Sequence, residues 1–254
     1  MKSDIKGIHQ ILCLALLATS GYSFVTQEVA HKAATVIYQY SGPFPAEKLL
    51  NYDQATIKDS NITFDGPAQD VSFPKLKTLK IEGSRIGNIP DGVLSAFPNL
   101  KNLAIKTSTI ENFKLSDINA ITSLKSLEVD DIALNILKDN SLNKLAGLKS
   151  LTLNSAKIDE IQNQAFGGLG KLEVLTLKGD NLKKLPAVVL KPLKNLRELY
   201  LQHNELTRFG PENVPALLEL RKVDLGMNPI EDVDVEGLKK VAPKLEDVSV
   251  GDTD

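Results

Sequence analysis

The fold is decided by two eleven-residue stretches, LRELYLQHNEL at residues 196–206 and LEVLTLKGDNL at residues 172–182. Both place apolar residues at positions 1, 4, 6 and 11, and their starting points lie 24 residues apart. The same spacing continues through the chain, with six steps of 24 and a last step of 25, and a weaker copy starts at Tyr52. The leucines at position 1 are Leu76, Leu100, Leu124, Leu148, Leu172, Leu196, Leu220 and Leu245. Self-similarity at a fixed period of this length indicates a solenoid of stacked repeats.

The apolar pattern has no exception. The nine copies offer 35 such positions, because the ninth ends before its position 11, and all 35 are apolar although only 42% of the chain is. Alternation over positions 3 to 7 predicts a strand with positions 4 and 6 inward and positions 3, 5 and 7 outward. One such strand cannot bury its leucines alone, so we expect the copies to stack around a continuous core.

These repeats resemble the leucine-rich repeat family, in particular the 24-residue type that is common in extracellular animal proteins. The resemblance covers residues 52–254 and implies an α/β-type solenoid. In this horseshoe a parallel β-sheet forms the concave face, and turns or short helices form the convex face. Extracellular members often carry cysteine-rich caps, whereas this chain has a single cysteine, Cys13. The scaffold hosts many unrelated binding roles, among which the resemblance suggests innate immunity, adhesion or signalling.

Three segments follow along the chain: a signal peptide at 1–23, an N-terminal cap at 24–51 and the repeat domain at 52–254. Lys2 and Lys6 precede an apolar run at residues 11–18, and small residues allow cleavage after Ser20 or Ser23. The alternative interpretation is a buried N-terminal helix. Cleavage would remove Cys13, so we expect a secreted, extracellular protein without disulfide bonds.

Composition argues against several classes of function. The net charge of −2 gives no general attraction to nucleic acid, and three histidines with one cysteine leave little for metal or thiol chemistry. No catalytic triad, phosphate-binding loop, metal-ligand spacing or later membrane span is visible. We therefore expect no enzyme activity, no cofactor and no metal site. Asn61, in the sequon Asn61-Ile62-Thr63, is the predicted glycosylation site.

A candidate binding surface lies on the outward positions of the C-terminal repeats. Tyr200, Gln202, His203 and Met227, edged by Glu198, Lys222 and Asp224, have the composition of an interface centre. The alternative is that these are separate large side chains with no shared role.

Two charged groups are further candidates. Glu128, Asp130 and Asp131, with Glu82 two strands away, could meet a basic partner or a calcium ion, although a solvated strand face explains them more simply. Position 2 forms a basic rim of Lys77, Lys101, Lys125, Lys149, Arg197 and Arg221. We expect the rim to serve solubility rather than an anionic glycan or lipid head group, because acids interrupt it and the whole chain is negative.

Position 9 predicts an irregularity in the turns. Asn204, Asn228 and Asp180 can bond the turn backbone and serines replace them in earlier copies, but Ile132 and Ala156 cannot. The sequence therefore predicts a less regular turn stack in the middle of the solenoid.

Taken together, these features favour a secreted, non-enzymatic module that binds a protein partner on its concave face. The alternative is a structural or self-assembling extracellular protein that dimerises through the C-terminal edge strand or the concave face. An inhibitor of a secreted enzyme is a third option that no residue specifically indicates.

Overall fold

The computed structural model describes residues 25–28, 34–64, 72–90 and 92–251, so the predicted signal peptide at 1–23 lies outside the described residues. One sheet of eleven strands runs through the molecule. Its strands, in spatial order, are β1 (Val25–Glu28), β2 (Ala34–Tyr38), β4 (Gln54–Lys58), β6 (Thr78–Glu82), β8 (Asn102–Lys106), β10 (Ser126–Asp130), β12 (Ser150–Asn154), β14 (Val174–Thr176), β15 (Glu198–Tyr200), β16 (Lys222–Asp224) and β17 (Asp247–Ser249).

The sheet keeps one register from repeat to repeat. Each strand of this sheet from β4 to β17 begins at position 3 of its copy, and Leu127 pairs with Leu103 on one side and Leu151 on the other. β2 to β17 are parallel, and only β1 runs antiparallel, against β2. Nine of the ten parallel strands, from β4 onward, are the strands of the concave sheet that the repeat pattern predicts.

The solenoid begins one strand earlier than the 24-residue pattern indicates. β2 pairs with β4 in parallel, with Ala34 opposite Gln54 and Tyr38 opposite Lys58. This first unit spans only 20 residues between equivalent positions, which hides it from a search at the longer period. Within the segment predicted as a cap, the part from β2 onward therefore has repeat geometry, and β1 covers its outer edge.

A second, narrower layer lies behind the concave sheet. It contains a four-stranded sheet and then a separate pair of strands, and short helices or 3₁₀ turns lie on the return of several repeats. Among the described helices, none has both the length and the apolar character needed to cross a membrane. The elements of this layer are β3 (Ser41–Pro43), β5 (Asn61–Thr63), β7 (Arg85–Ile86), β9 (Thr109–Ile110), β11 (Ile136–Leu137), β13 (Glu160–Ile161), α1 (Ala46–Leu49), α2 (Ala187–Leu190), α3 (Val235–Val241) and 3₁₀ turns at Val93–Ala96, Leu115–Ala120 and Pro211–Asn213.

The core is the continuous stack of inward repeat positions. Leu148, Leu151 and Leu153, at positions 1, 4 and 6 of one copy, are fully buried. Burial of each such side chain contributes about 1.5–3 kcal/mol. At the N-terminal end the core becomes aromatic, where Phe73 and Phe97 stack with centroids 4.9 Å apart.

Hydrogen-bonded ladders at position 9 join the repeats, and they stop where the sequence predicts. The N–H groups of Tyr40, Ser60 and Ser84 each donate to a serine hydroxyl on the next copy, at 3.1 Å. The ladder ends at Ser108, because the next position 9 is Ile132. A second ladder of Asp180, Asn204 and Asn228 begins later, with the N–H of Ala156 donating to Asp180 at 2.9 Å. The back sheet also breaks here, between β9 and β11.

Candidate binding surface on the concave sheet

The predicted C-terminal surface is built by three neighbouring strands. Register places Glu198 beside Lys222 and Lys222 beside Asp247, all at position 3. It places Tyr200 beside Asp224 at position 5. Because these positions point away from the leucine core, four charged groups and one phenol lie within three adjacent strands.

Tyr200 is held by its neighbours. Its hydroxyl donates to a Glu198 carboxylate oxygen at 2.8 Å, and the Lys222 ammonium lies 5.9 Å from the centre of its ring. Lys222 also pairs with Asp247 at 2.8 Å. Burial, with Glu198 adding to it, raises the pKa of Tyr200 above its ordinary value, and the phenol acts as a hydrogen-bond donor to Glu198. A side chain fixed in this way loses little further entropy when a partner contacts it.

His203 and Met227 lie at the turn where the chain leaves the sheet. Both have left-handed backbone, with φ of 56° and 57°, and their N–H groups donate to the carbonyls of Gly226 and Gly251. A left-handed conformation costs a residue other than glycine roughly 1–2 kcal/mol. His203 is exposed and Met227 is 43% exposed, so both side chains are accessible at the edge of the concave face.

Asp224 differs from the sequence expectation. It was predicted at the exposed edge of the surface, but it is only 8% exposed. One oxygen accepts from the Gln202 amide at 2.7 Å, and the other accepts from the N–H of Gly226 at 3.1 Å. Asp224 therefore supports Gln202 and the turn rather than offering its own carboxylate to a partner.

The acidic group on β10 is not an open acidic patch. The Lys106 ammonium on the neighbouring strand lies 2.6 Å from Glu128 and 3.8 Å from Asp130. Lys106 also lies between this pair and Glu82, because Glu82, Lys106 and Asp130 occupy position 7 on three neighbouring strands. Asp131 is exposed at the following turn. The register that brings Lys106 into the group is visible in the repeat alignment, but the sequence analysis grouped the acids alone.

Two other expectations concern modification and metal binding. Asn61 is exposed on β5, in the back layer rather than the concave sheet, and its backbone N–H donates to the Tyr40 carbonyl at 2.7 Å. Over the described ranges, no group of three or more His, Cys, Asp or Glu side chains is arranged to hold a metal ion. Asp247, at position 3 of the last copy, is a member of the C-terminal surface that was not predicted; its pairing with Lys222 follows from the register of β16 and β17.

Comparison with known proteins identifies the repeats. The family model described as leucine rich repeat matches residues 122–182, 146–206 and 171–230. No curated protein sequence matches the chain. Together with the ten-stranded parallel sheet, the match establishes a leucine-rich repeat horseshoe.

Solved structures with the same fold come from several kinds of protein. TLR13, in a complex with ssRNA13, has a TM-score of 0.62 at 16% identity, over 83% of this chain and 34% of its own. Internalin C2 of Listeria monocytogenes has a TM-score of 0.52 at 21% identity, and the match covers 74% of this chain and 80% of the internalin. The Arabidopsis receptor kinase HAESA, in complex with the peptide hormone IDA and the co-receptor SERK1, has a TM-score of 0.53 at 18% identity. The match covers 74% of this chain and 32% of the receptor kinase chain. The chain thus spans about a third of the first of these proteins, and identities this low show the fold alone.

Proposed function

We propose that this protein is a secreted, non-enzymatic module that binds a protein partner on the concave face of its horseshoe. The observation that carries the proposal is the ordered cluster around Tyr200, in which a phenol and three charged groups are fixed by mutual contacts. Aromatic side chains of this kind, surrounded by polar groups, dominate the energetics of protein interfaces. The ligand-bound complexes among the structural neighbours support a binding role.

Export is the second part of the proposal. It is supported by the signal-like segment at residues 1–23 and by the sequon at Asn61. Innate immunity, adhesion and signalling are the processes that the family resemblance suggests for such a module.

The test begins by capturing a partner from the native extracellular fluid and purifying it. Its affinity is then measured for the wild type and for a Tyr200→Ala/His203→Ala variant. We expect the variant to lose at least about tenfold in affinity, because truncation of a central interface residue typically costs more than 1 kcal/mol.

The matched control is Thr152→Ala/Ser155→Ala, which changes positions 5 and 8 of the copy on β12. We expect it to bind as the wild type does. Equal losses in both variants would place the contact elsewhere, and a wild type that captures only its own copies would contradict the proposal.

Self-assembly is the second candidate, and one observation favours it. Among the described residues, β17 is paired on one side only, and Val250 beside it is 42% exposed. If assembly is the function, light scattering should show a concentration-dependent dimer that Val250→Lys abolishes. A constant monomer mass for the wild type would exclude it.

A further inference from the structure

The basic rim contains four consecutive lysines, of which only the two at the ends are paired with a carboxylate among the described residues. Position 2 of consecutive strands carries Lys77, Lys101, Lys125 and Lys149, and the N–H of each of the last three donates to the carbonyl of the lysine before it, at 2.7–2.8 Å. Neighbouring strands lie about 4.8 Å apart, so the four lysines form a row roughly 14 Å long. We call these four residues the lysine row.

Within this row, the acids that interrupt the rim form ion pairs only with the two lysines at its ends. Asp53 lies 3.3 Å from Lys77, and Glu173 lies 2.7 Å from Lys149. In the described part of the chain, Lys101 and Lys125 have no carboxylate within ion-pair distance. The acids that interrupt the rim therefore leave the two middle lysines of the row without a counter-charge in the described part of the chain.

No acid lies beside the row at positions 24 or 3. Position 24 adds one further cation, Lys75, and a glycine, Gly147. The other side chains at these positions are hydroxyls and amides that can form hydrogen bonds: Asn99 and Ser123 on one side, and Thr78, Asn102, Ser126 and Ser150 on the other. The nearest acidic group at position 5 is Glu128, which is already bound to Lys106.

Adjacent like charges on a sheet oppose folding. The adjacent ammonium groups of Lys101 and Lys125 repel each other, and a bound anion with several regularly placed charges would reduce that repulsion. We infer that the lysine row is a binding site for a sulfated glycan chain, separate from the protein-binding surface around Tyr200.

Three observations favour a glycan over other polyanions. Neutral hydroxyl and amide side chains beside the row suit the hydroxyl groups of a sugar. Neither the row nor its flanking positions 24 and 3 carry an aromatic side chain on which a nucleic acid base could stack. These same positions carry no large apolar side chain over β6 to β12 that could insert into a membrane.

The experiment measures binding of the purified protein to a heparin oligosaccharide of defined length over a range of salt concentrations. Lys101→Gln/Lys125→Gln should lose about tenfold in affinity, the scale expected for two exposed charge contacts. The matched control is Lys138→Gln/Lys178→Gln, which removes two exposed lysines elsewhere and has the same net charge. The control should bind as the wild type does and keep its salt dependence, whereas the row variant should show a weaker one.

Glu173→Gln provides a test in the opposite direction. Glu173 pairs with both Lys149 and Arg197, so its neutralisation would extend the row to Arg197, whereas Arg221 stays paired with Glu246. We expect about threefold tighter binding. A gain in affinity cannot come from a misfolded variant.

Several results would overturn the inference. These are no binding of the wild type at low salt, equal losses in the row and control variants, or binding of single-stranded DNA or phosphatidylserine vesicles as tight as that of heparin. The Tyr200→Ala/His203→Ala variant should bind heparin normally, so failure of one proposal is distinguishable from failure of the other.

Discussion

At the scale of single residues, Asp180 differs from its two structural equivalents in what its side chain can donate. The amide nitrogen of Asn204 donates to the carbonyls of Leu177 and Leu201, at 2.7 and 3.0 Å. Asp180 is 4% exposed; one of its oxygens accepts from the N–H groups of Ala156 and Ile158, and the other has no partner among the described residues. An ionised carboxylate at this position accepts hydrogen bonds but cannot make the donations that asparagine makes.

Burial raises the pKa of Asp180 to about 6, although the backbone N–H groups that it accepts from oppose the shift. The negative charge of Asp159 adds to the increase. A pKa raised on folding means that the folded state binds the proton more tightly than the unfolded state. The contribution to stability is therefore full below the unfolded pKa of 3.8 and is lost as pH rises through about 6.

Asp180→Asn should stabilise the protein at neutral pH. The amide supplies the missing donor and carries no charge to bury, so we expect the free energy of unfolding at pH 7.5 to rise by about 2 kcal/mol. The difference between variant and wild type should shrink as pH falls from 7 to 4. Urea unfolding at several pH values checks this, and a difference that does not change with pH would show that Asp180 is not the titrating group.

At the scale of elements, the serine ladder shows how short side chains can join the turns that lead into the strands of the back layer. Each hydroxyl accepts from the N–H of the preceding copy and donates to a carbonyl two residues before it, as Ser84 does to Glu82 at 2.8 Å. These serines replace asparagine at position 9 of the earlier copies, and their hydrogen bonds are regular over three copies. This ladder accompanies the four-stranded back sheet and ends with it.

Ser84→Ala should therefore destabilise the N-terminal half. It leaves the buried N–H of Ser60 without its acceptor, which costs about 1–3 kcal/mol. Ser95→Ala is the control, because the exposed Ser95 hydroxyl bonds only within its own turn, and its effect should stay below about 0.5 kcal/mol. Thermal unfolding of both variants measures the difference, and equal shifts would mean that the ladder contributes nothing specific.

At the scale of the whole molecule, the fold separates its two proposed surfaces. The cluster around Tyr200 lies on β15 to β17, whereas the lysine row runs along the starts of β6 to β12. Because different copies supply them, a protein partner and an anionic chain can occupy the molecule together. Asn61 lies on the back layer, so a glycan attached there would leave the concave sheet open.

Export predicts a defined secreted product. Expressed with its own N-terminus in animal cells, the protein should appear in the medium with an N-terminus after Ser20 or Ser23. Its mass should fall on treatment with an N-glycosidase, and Asn61→Gln should remove that shift without changing partner affinity. Retention of the protein inside the cell with residues 1–23 intact would contradict export.

The sequence by itself determined the parallel sheet, its register and its core. A 24-residue repeat with four apolar positions cannot bury them alone, and stacking the copies so that those positions face one another buries all of them. The starts of nine strands and the break at Ile132 follow from the same pattern. The shorter first unit at β2 escaped it because its period is 20 residues.

Only the tertiary structure decided which charges are free. Lys106 pairs with acids that the sequence suggested as a patch, and Asp224 is buried. Within the described ranges, Lys101 and Lys125 have no carboxylate at ion-pair distance. The position of a residue within its repeat determines which residues of the neighbouring strands lie beside it. Whether that side chain reaches a neighbour depends on distances of a few ångström between strands, and these follow from packing rather than from the order of residues along the chain.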